Sequence, residues 1–290
     1  MTAFPLPGSA RAVVAAHPPG SGEGFWAGSS SAAIDEDGTF VIAYRVRTGH
    51  AGRGTNVVAR SEDGERLTTV AEIGQGRFGA QSLERPALVR TDEGRWRLYV
   101  CPAAPAPSKH WWIDVLEADD PADLATAEAR TVFPGDEHTG VKDPLVQRTP
   151  DGRWQAWICC HPLDEPDQED RMTTAYATSD DGLAWEWHGT VMAPRAGTWD
   201  ARGARVTAVL PDGRATYDGR ATKEENWFER TGLARRIGGG ELEQTGDDAV
   251  SAARYLDVLP LPDGGYRIWY EWPLEDGSHE LRTELIGALA

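Results

Sequence analysis

Gly140–Val141–Lys142–Asp143–Pro144–Leu145–Val146–Gln147–Arg148–Thr149–Pro150–Asp151–Gly152–Arg153–Trp154, running on to Ala156–Trp157–Ile158–Cys159, reads as a strand, a tight turn at Asp151–Gly152 and a second strand of alternating large residues. The same hairpin recurs. Glu84–Arg85–Pro86–Ala87–Leu88–Val89 leads through Glu93–Gly94–Arg95–Trp96 to Leu98–Tyr99–Val100–Cys101. Weaker copies centre on Asp37–Gly38, Asp212–Gly213 and Asp263–Gly264. The turn glycines 38, 94, 152, 213 and 264 are 56, 58, 61 and 51 residues apart. Units of that size, each with several short strands, predict an all-β propeller, and 290 residues hold five of them.

The period runs through the chain with no linker or change of composition, so residues 1–290 are expected to form a single five-bladed domain. Forty per cent hydrophobic residues suffice for its core, and 12 Trp with 32 Gly suit packed strands joined by tight turns. A net charge of −17 argues against a nucleic-acid backbone or an anionic membrane as partner. That surplus of carboxylates serves solubility or supplies an acidic site. The apolar run Ala12–Ala16 is too short for a signal-peptide core, and no stretch approaches a membrane span. Cys101, Cys159 and Cys160 show no metal spacing and cannot all pair. Cys101 and Cys159 fall at equivalent strand positions, so buried reduced thiols and a cytoplasmic protein are expected.

Ala12–Ala16 has no hairpin partner of its own. It is assigned to close the ring by joining the blade built from Leu256–Leu261, Tyr266–Trp272 and Glu280–Leu285. The first blade is placed at Ser31–Ile34, Thr39–Val46, Asn56–Arg60 and Leu67–Ile73, and Trp111–Val115 is read as the third strand of the second. Pro121–Ala129 suggests a helical turn, and Pro162–Arg171 a loop. Ser179–Asp180–Asp181–Gly182–Leu183–Ala184–Trp185, echoed at Ser61–Gly64, resembles the Asp-box turn of propeller blades. Its Asp bonds turn amides and its Trp packs between sheets, which is a structural role.

First strands of a propeller run beside its axis, so residues at their starts converge on one mouth. Glu84, Arg85, Lys142, Asp143, Asp200, Arg202, Arg205, Tyr255 and Asp257 are thereby brought together. Crowded carboxylates beside cations have separated pKa values, as glycoside cleavage requires of its acid and base. The alternative is that these charges pair across the channel and only hold the blades. Asp143 is the first catalytic candidate, with Glu84 and Asp200 as acid and base and Arg85, Lys142 and Arg202 as orienting cations.

The five-unit spacing, the Lys142–Asp143–Pro144 strand start and the Asp-box-like turns resemble the five-bladed glycoside hydrolases of families 43 and 32. The resemblance spans the chain in architecture and only short motifs in sequence. It implies that Asp143 stabilises the transition state or tunes the acid, the acid in those families usually being a Glu of a neighbouring blade, a role that falls here to Glu84 or Asp200. Those families also carry an Asp at the start of the first blade. Here Gly28–Ser29–Ser30–Ser31 stands in that place, with Glu23 slightly upstream.

Arg45, Arg47, Arg85, Lys142, Arg202 and Arg220 open a second route, because guanidinium forks suit phosphate and carboxylate alike. A related five-bladed family of phosphorolytic enzymes is implied by that set, as is a sugar acid or phosphate as ligand. Trp26, Trp227 and Trp111 or Trp112 either stack on sugar or pack in the core. His138 and His161 lie near the third blade and are candidates for substrate hydrogen bonds. The seven His show no zinc pattern, so neither a metal nor a cofactor is expected. The expectation is a glycosidase acting on a small carbohydrate. Its rivals are a non-catalytic sugar-binding propeller and a phosphate-dependent phosphorylase.

Overall fold

A computed structural model describes residues 4–8, 11–49, 54–108, 110–165, 168, 170–262 and 264–287. Its strands form five antiparallel four-stranded meanders. Blade 1 is Trp26–Ile34, Phe40–Arg47, Thr55–Ser61 and Thr68–Ile73; blade 2 is Ala87–Arg90, Trp96–Val100, Ile113–Ala118 and Ala129–Phe133. Blade 3 is Thr139–Arg148, Trp154–Pro162, Thr173–Ser179 and Glu186–Met192; blade 4 is Gly203–Val209, Arg214–Arg220, Arg230–Gly238 and Glu241–Gln244. Blade 5 takes Arg254–Pro260, Tyr266–Pro273 and His279–Ile286 from the end of the chain and Val13–Ala16 from its beginning. First strands touch in the cyclic order 1–2–3–4–5–1, which makes the molecule a propeller with its ring closed by the N-terminal strand. A single parallel bridge from Trp26 to His279 also ties blade 1 to blade 5.

The recurring hairpin has one geometry in all five blades. The N–H groups of Asp35, Thr91, Thr149, Leu210 and Leu261 each donate to the carbonyl four residues on, at 2.8 Å every time. The turn glycine between them is left-handed at all five positions, with φ from 83 to 88°. Among the described residues of these turns only the glycine has positive φ, so this is a five-residue turn with a left-handed Gly in its fourth place, not the two-residue primed turn that Asp-Gly suggests. Asp263 lies outside the described residues.

The apolar core is correspondingly divided into five clusters, one at each junction between blades. Val41, Val58, Trp96 and Leu98 join blades 1 and 2; Tyr99, Ile113, Trp154 and Ile158 join 2 and 3. Trp157 with Tyr217, Leu210 with Ile268, and Trp269 with Ile42 fill the remaining three. Trp157 Nε1 donates to Gly240 O at 2.9 Å and Trp269 Nε1 to Gly64 O at 3.0 Å, linking each blade to the next. The Asp-box-like turns are built as expected: Asp181 Oδ1 accepts from the Leu183 and Ala184 N–H groups at 2.8 Å. Trp185 packs on Phe133 of the neighbouring blade at 5.2 Å. Pro121–Ala125 is a 3-10 turn capped by Asp120, and all three cysteines are free and buried.

Several boundaries differ from the sequence reading, two of them in ways that bear on the site. The first strand of blade 1 begins at Trp26 rather than Ser31, and the third strand of blade 2 at Ile113 rather than Trp111. β-Bulges explain the first case. Register shifts lie between Gly28 and Ser31, Lys142 and Leu145, and Arg254 and Asp257. Each contains a non-glycine residue in the left-handed region: Ser29 (φ 54°), Asp143 (φ 49°) and Tyr255 (φ 51°). A bulge breaks the two-residue alternation from which strands are recognised. It also brings consecutive residues, Arg254 and Tyr255 for instance, to the same cavity.

Candidate functional site

Bulged first strands and the ends of second strands meet around a cavity of about 290 Å³ on the channel axis. Blade 1 supplies Trp26, Arg45 and Arg47; the approach to blade 2 supplies Ser82 and Glu84; blade 3 supplies Lys142 and His161. Blade 4 adds Arg205, and its insert adds Asn226, Trp227 and Glu229, while blade 5 adds Arg254 and Tyr255. Five cations therefore line the walls against two carboxylates, Glu84 and Glu229.

Glu84 is held by Arg45 Nη2 at 3.0 Å and Lys142 Nζ at 3.7 Å. Burial opposes its ionisation, but Arg45 and Lys142 outweigh it and keep the carboxyl below its usual range. Asp143 lies directly beneath and is fully buried. Its Oδ1 accepts the Arg85 backbone N–H at 3.0 Å; its Oδ2 accepts from Arg205 Nη1 at 3.1 Å and Tyr255 OH at 3.3 Å. Burial again works against charge, and Lys142, Arg205 and Arg45 prevail, bringing Asp143 down to about 2. Lys142 Nζ stands 3.7 Å from Glu84 and 3.9 Å from Asp143, so one ammonium joins the carboxylates of two blades.

Arg205 also reaches Asp218 Oδ2 at 2.8 Å, and Arg254 reaches Glu229 at 2.8 Å and Glu271 at 3.0 Å. Burial raises Asp218 and Glu271 despite these partners, whereas Glu229, with Arg254, Arg205 and Arg220 around it, is lowered. Arg205–Asp218 and Arg254–Glu271 are register partners across the first two strands of their blades. Reading second strands as well as first strands for charged alternation would have found Asp218 and Glu271.

Gly28 occupies the bulge where the resemblance implies an Asp. A Cβ there would stand 2.2 Å from Glu271 Oε2, so blade 5's carboxylate fills the space that a blade 1 side chain would take. Ser29 Oγ donates to the same oxygen at 3.2 Å.

Several predicted site residues lie elsewhere. Arg85 lies below the cavity and crosses the axis: its guanidinium donates to Ser30 O and Thr207 O at 3.1–3.4 Å and lies 5.9 Å from the Tyr255 ring. Asp257 is on the far side, at the opposite end of the channel among Leu145, Val209 and Val258, because the bulge at Tyr255 re-aims the residues after it. Burial raises it to about 7, against the pull of Arg85. Asp200 is buried inside blade 4, accepting from Arg195 Nε at 3.0 Å and Tyr217 OH at 2.7 Å, and does not line the cavity. Arg202 faces outward to Asp170 at 2.7 Å, and exposed His138 stands between Glu137 and Asp164 on the surface. Those three precede their strands and follow loop geometry that strand position does not fix. The structure thus brings together Glu84, Lys142, Asp143, Tyr255, Trp26 and Trp227 and leaves Asp200, Arg202, Asp257 and His138 apart. Among the described residues no group of three or more His, Cys, Asp or Glu is placed to hold a metal ion. Among the described residues no helix is long and apolar enough to cross a membrane.

No family model matches the chain, and no curated protein matches it in sequence. Solved structures share its fold. A β-1,2-mannobiose phosphorylase from Listeria innocua, in complex with β-1,2-mannobiose, is 13% identical, with TM-score 0.65 over 93% of this chain and 92% of that one. A thermostable family-43 glycoside hydrolase is 11% identical, with TM-score 0.68 over 94% and 92%. A glycoside hydrolase of the GH130 mannoside phosphorylase family, described as targeting β-1,2 mannosidic linkages in Candida mannan, is 11% identical, with TM-score 0.57 over 94% and 89%. The chain has the propeller fold of family-43-type glycoside hydrolases and mannoside phosphorylases, at a sequence distance where the likeness speaks for architecture alone.

Proposed function

We propose that this chain is a single-domain, five-bladed, cytoplasmic enzyme that cleaves a glycosidic bond in the axial cavity by hydrolysis. The observation that carries the reading is Glu84 on a cavity wall flanked by aromatic rings, tied through Lys142 to the buried carboxylate of Asp143 from the neighbouring blade. Glu84 lines the cavity and is the proton donor. Burial is the largest influence on it and favours the neutral acid; Arg45 and Lys142 outweigh it. A ligand that draws either cation away returns Glu84 towards the form that protonates a leaving oxygen. Asp143 touches no solvent and is a positioning residue, fixing Lys142, Arg205 and Tyr255. Glu229, firmly ionised on the insert side, is the second lining carboxylate and the base.

The test is hydrolysis of a panel of oligosaccharides and aryl glycosides by the wild type and by Glu84→Gln and Asp143→Asn, with thermal melts to establish folding. Loss of a general acid lowers turnover by about 10²–10⁴. Undiminished turnover by folded Glu84→Gln rejects the assignment. Phosphorolysis is the second reading, favoured by five lining cations against two lining carboxylates. It predicts product only when inorganic phosphate is added. Sugar binding without product under either condition leaves a carbohydrate-binding propeller.

A further inference from the structure

Three guanidinium groups converge on one indole at the cavity wall. The Cζ atoms of Arg45, Arg47 and Arg254 lie 5.6, 4.5 and 5.2 Å from the centre of the Trp26 ring. Arg47 is also 4.6 Å from Trp227, and the two indoles meet edge to face with centroids 5.0 Å apart. Arg47 is therefore clamped between aromatic rings from blade 1 and the blade 4 insert. Trp227 is held in place there by its backbone, whose carbonyl accepts from Arg254, and it adopts φ 84°. Such a left-handed conformation is costly for a bulky residue and persists only where its surroundings demand it.

A neutral sugar uses an aromatic wall by laying its CH groups on a ring face. Arg47 already stands against both indoles, so this wall offers charge to a ligand in addition to surface. Composition does not account for it: the chain is acidic overall, at −17, yet five of its 29 Lys and Arg line one cavity. Burial lowers Arg47 to about 10, and Arg45 and Arg254, already paired with Glu84, Glu229 and Glu271, add repulsion, so an anion beside Arg47 favours its charged form.

We infer that this wall binds an oxyanion borne by the sugar itself, so that the ligand is an acidic glycoside of the uronic acid class whose carboxylate pairs with Arg47 beside Arg45 and Arg254. Guanidinium and carboxylate match as planar, two-pronged partners, and Trp26, Trp227 and Tyr255 meet the ring that carries the carboxylate. Free phosphate would satisfy the same cations but has no use for the aromatic surface. The inference rests on the cavity being a glycoside site, and it fails separately from the proposed chemistry.

Isothermal titration of the wild type with methyl glycosides of glucuronate, galacturonate and mannuronate, with the matching neutral methyl hexosides and with inorganic phosphate, tests it. At least one uronide is expected to bind about tenfold or more tightly than its neutral counterpart. Arg47→Met should abolish that preference for the uronide over its neutral counterpart, and Arg47→Lys should restore part of it, since charge returns without the fork. Should Arg47→Met fail to fold, a reduced preference in Arg47→Lys carries the test. Equal binding of acidic and neutral sugars, binding of phosphate alone, or an unchanged preference in folded Arg47→Met overturns the inference. Uronide binding without turnover upholds it and removes the hydrolase reading; turnover confined to neutral glycosides does the reverse.

Discussion

Asp257→Asn should make the protein more stable at pH 8 and leave it nearly unchanged at pH 4. The Asp257 carboxyl is 8% exposed, and burial, opposed by Arg85, raises it from 3.8 to about 7. In the unfolded chain the group ionises near pH 4, whereas in the folded protein it keeps its proton to about pH 7. Between those values the folded state binds more protons than the unfolded state, so stability falls as pH rises. The interval is about three pH units at ~1.4 kcal/mol each, which caps the loss at ~4 kcal/mol above pH 7. Asparagine imitates the neutral acid and can still accept the Ala32 and Val258 backbone N–H groups that Asp257 uses. Allowing for imperfect hydrogen bonds, a gain of about 2–3 kcal/mol is expected at pH 8. For a chain of this size that is a rise in Tm of roughly 4–8 °C. Thermal and urea denaturation of both proteins at pH 4, 6 and 8 would measure it. Parallel stability curves across that range would refute the reasoning, because they would mean that Asp257 titrates alike in the folded and unfolded chain.

Three further outcomes separate scaffold from site. Asp200→Asn should cost about 2–4 kcal/mol through its broken contacts with Arg195 and Tyr217, yet leave turnover per folded molecule within about threefold, measured by denaturation beside steady-state assay. Gly28→Ala should cost at least ~2 kcal/mol, since its Cβ meets Glu271 Oε2 at 2.2 Å; an unchanged Tm would show that Glu271 yields freely. Asp181→Ala should lose roughly 1–2 kcal/mol with no change in ligand affinity by titration, because its carboxylate serves the turn, accepting from the Leu183 and Ala184 amides and the Ser179 hydroxyl.

The repeat was legible in the sequence because its signal is local. Gly38, Gly94, Gly152, Gly213 and Gly264 each hold the left-handed position of a turn, and the strands after them are short apolar runs that become buried. Val13–Ala16 was legible for a different reason, as an apolar strand with no neighbour to pair with. The cavity was legible at the entries to the first strands, where Glu84 precedes blade 2 and Lys142 and Tyr255 stand at the bulges of blades 3 and 5, and all three line it. Asp257 was misread because the left-handed Tyr255 resets the alternation two residues before it, and nothing in Arg254–Tyr255–Leu256–Asp257 announces a bulge. Asp200 and Arg202 were misread because they belong to the turn entering blade 4, whose path is set by Arg195 and Asp170, residues of loops with no period.

Those bulges also give the site its electrical character. In blades 3 and 5 the residue before each left-handed position is a cation, Lys142 or Arg254, and both line the cavity; in blade 1 it is Gly28, and the space goes to Glu271. Glu271, Asp218 and Asp143 are thereby kept behind the wall, each bound to an arginine that faces it. Five cations and only Glu84 and Glu229 line the cavity, and the acids behind the wall hold its arginines in place while a ligand meets mainly positive charge. An acidic chain thus presents a cationic site, and the ligand that suits it carries negative charge close to an apolar ring face.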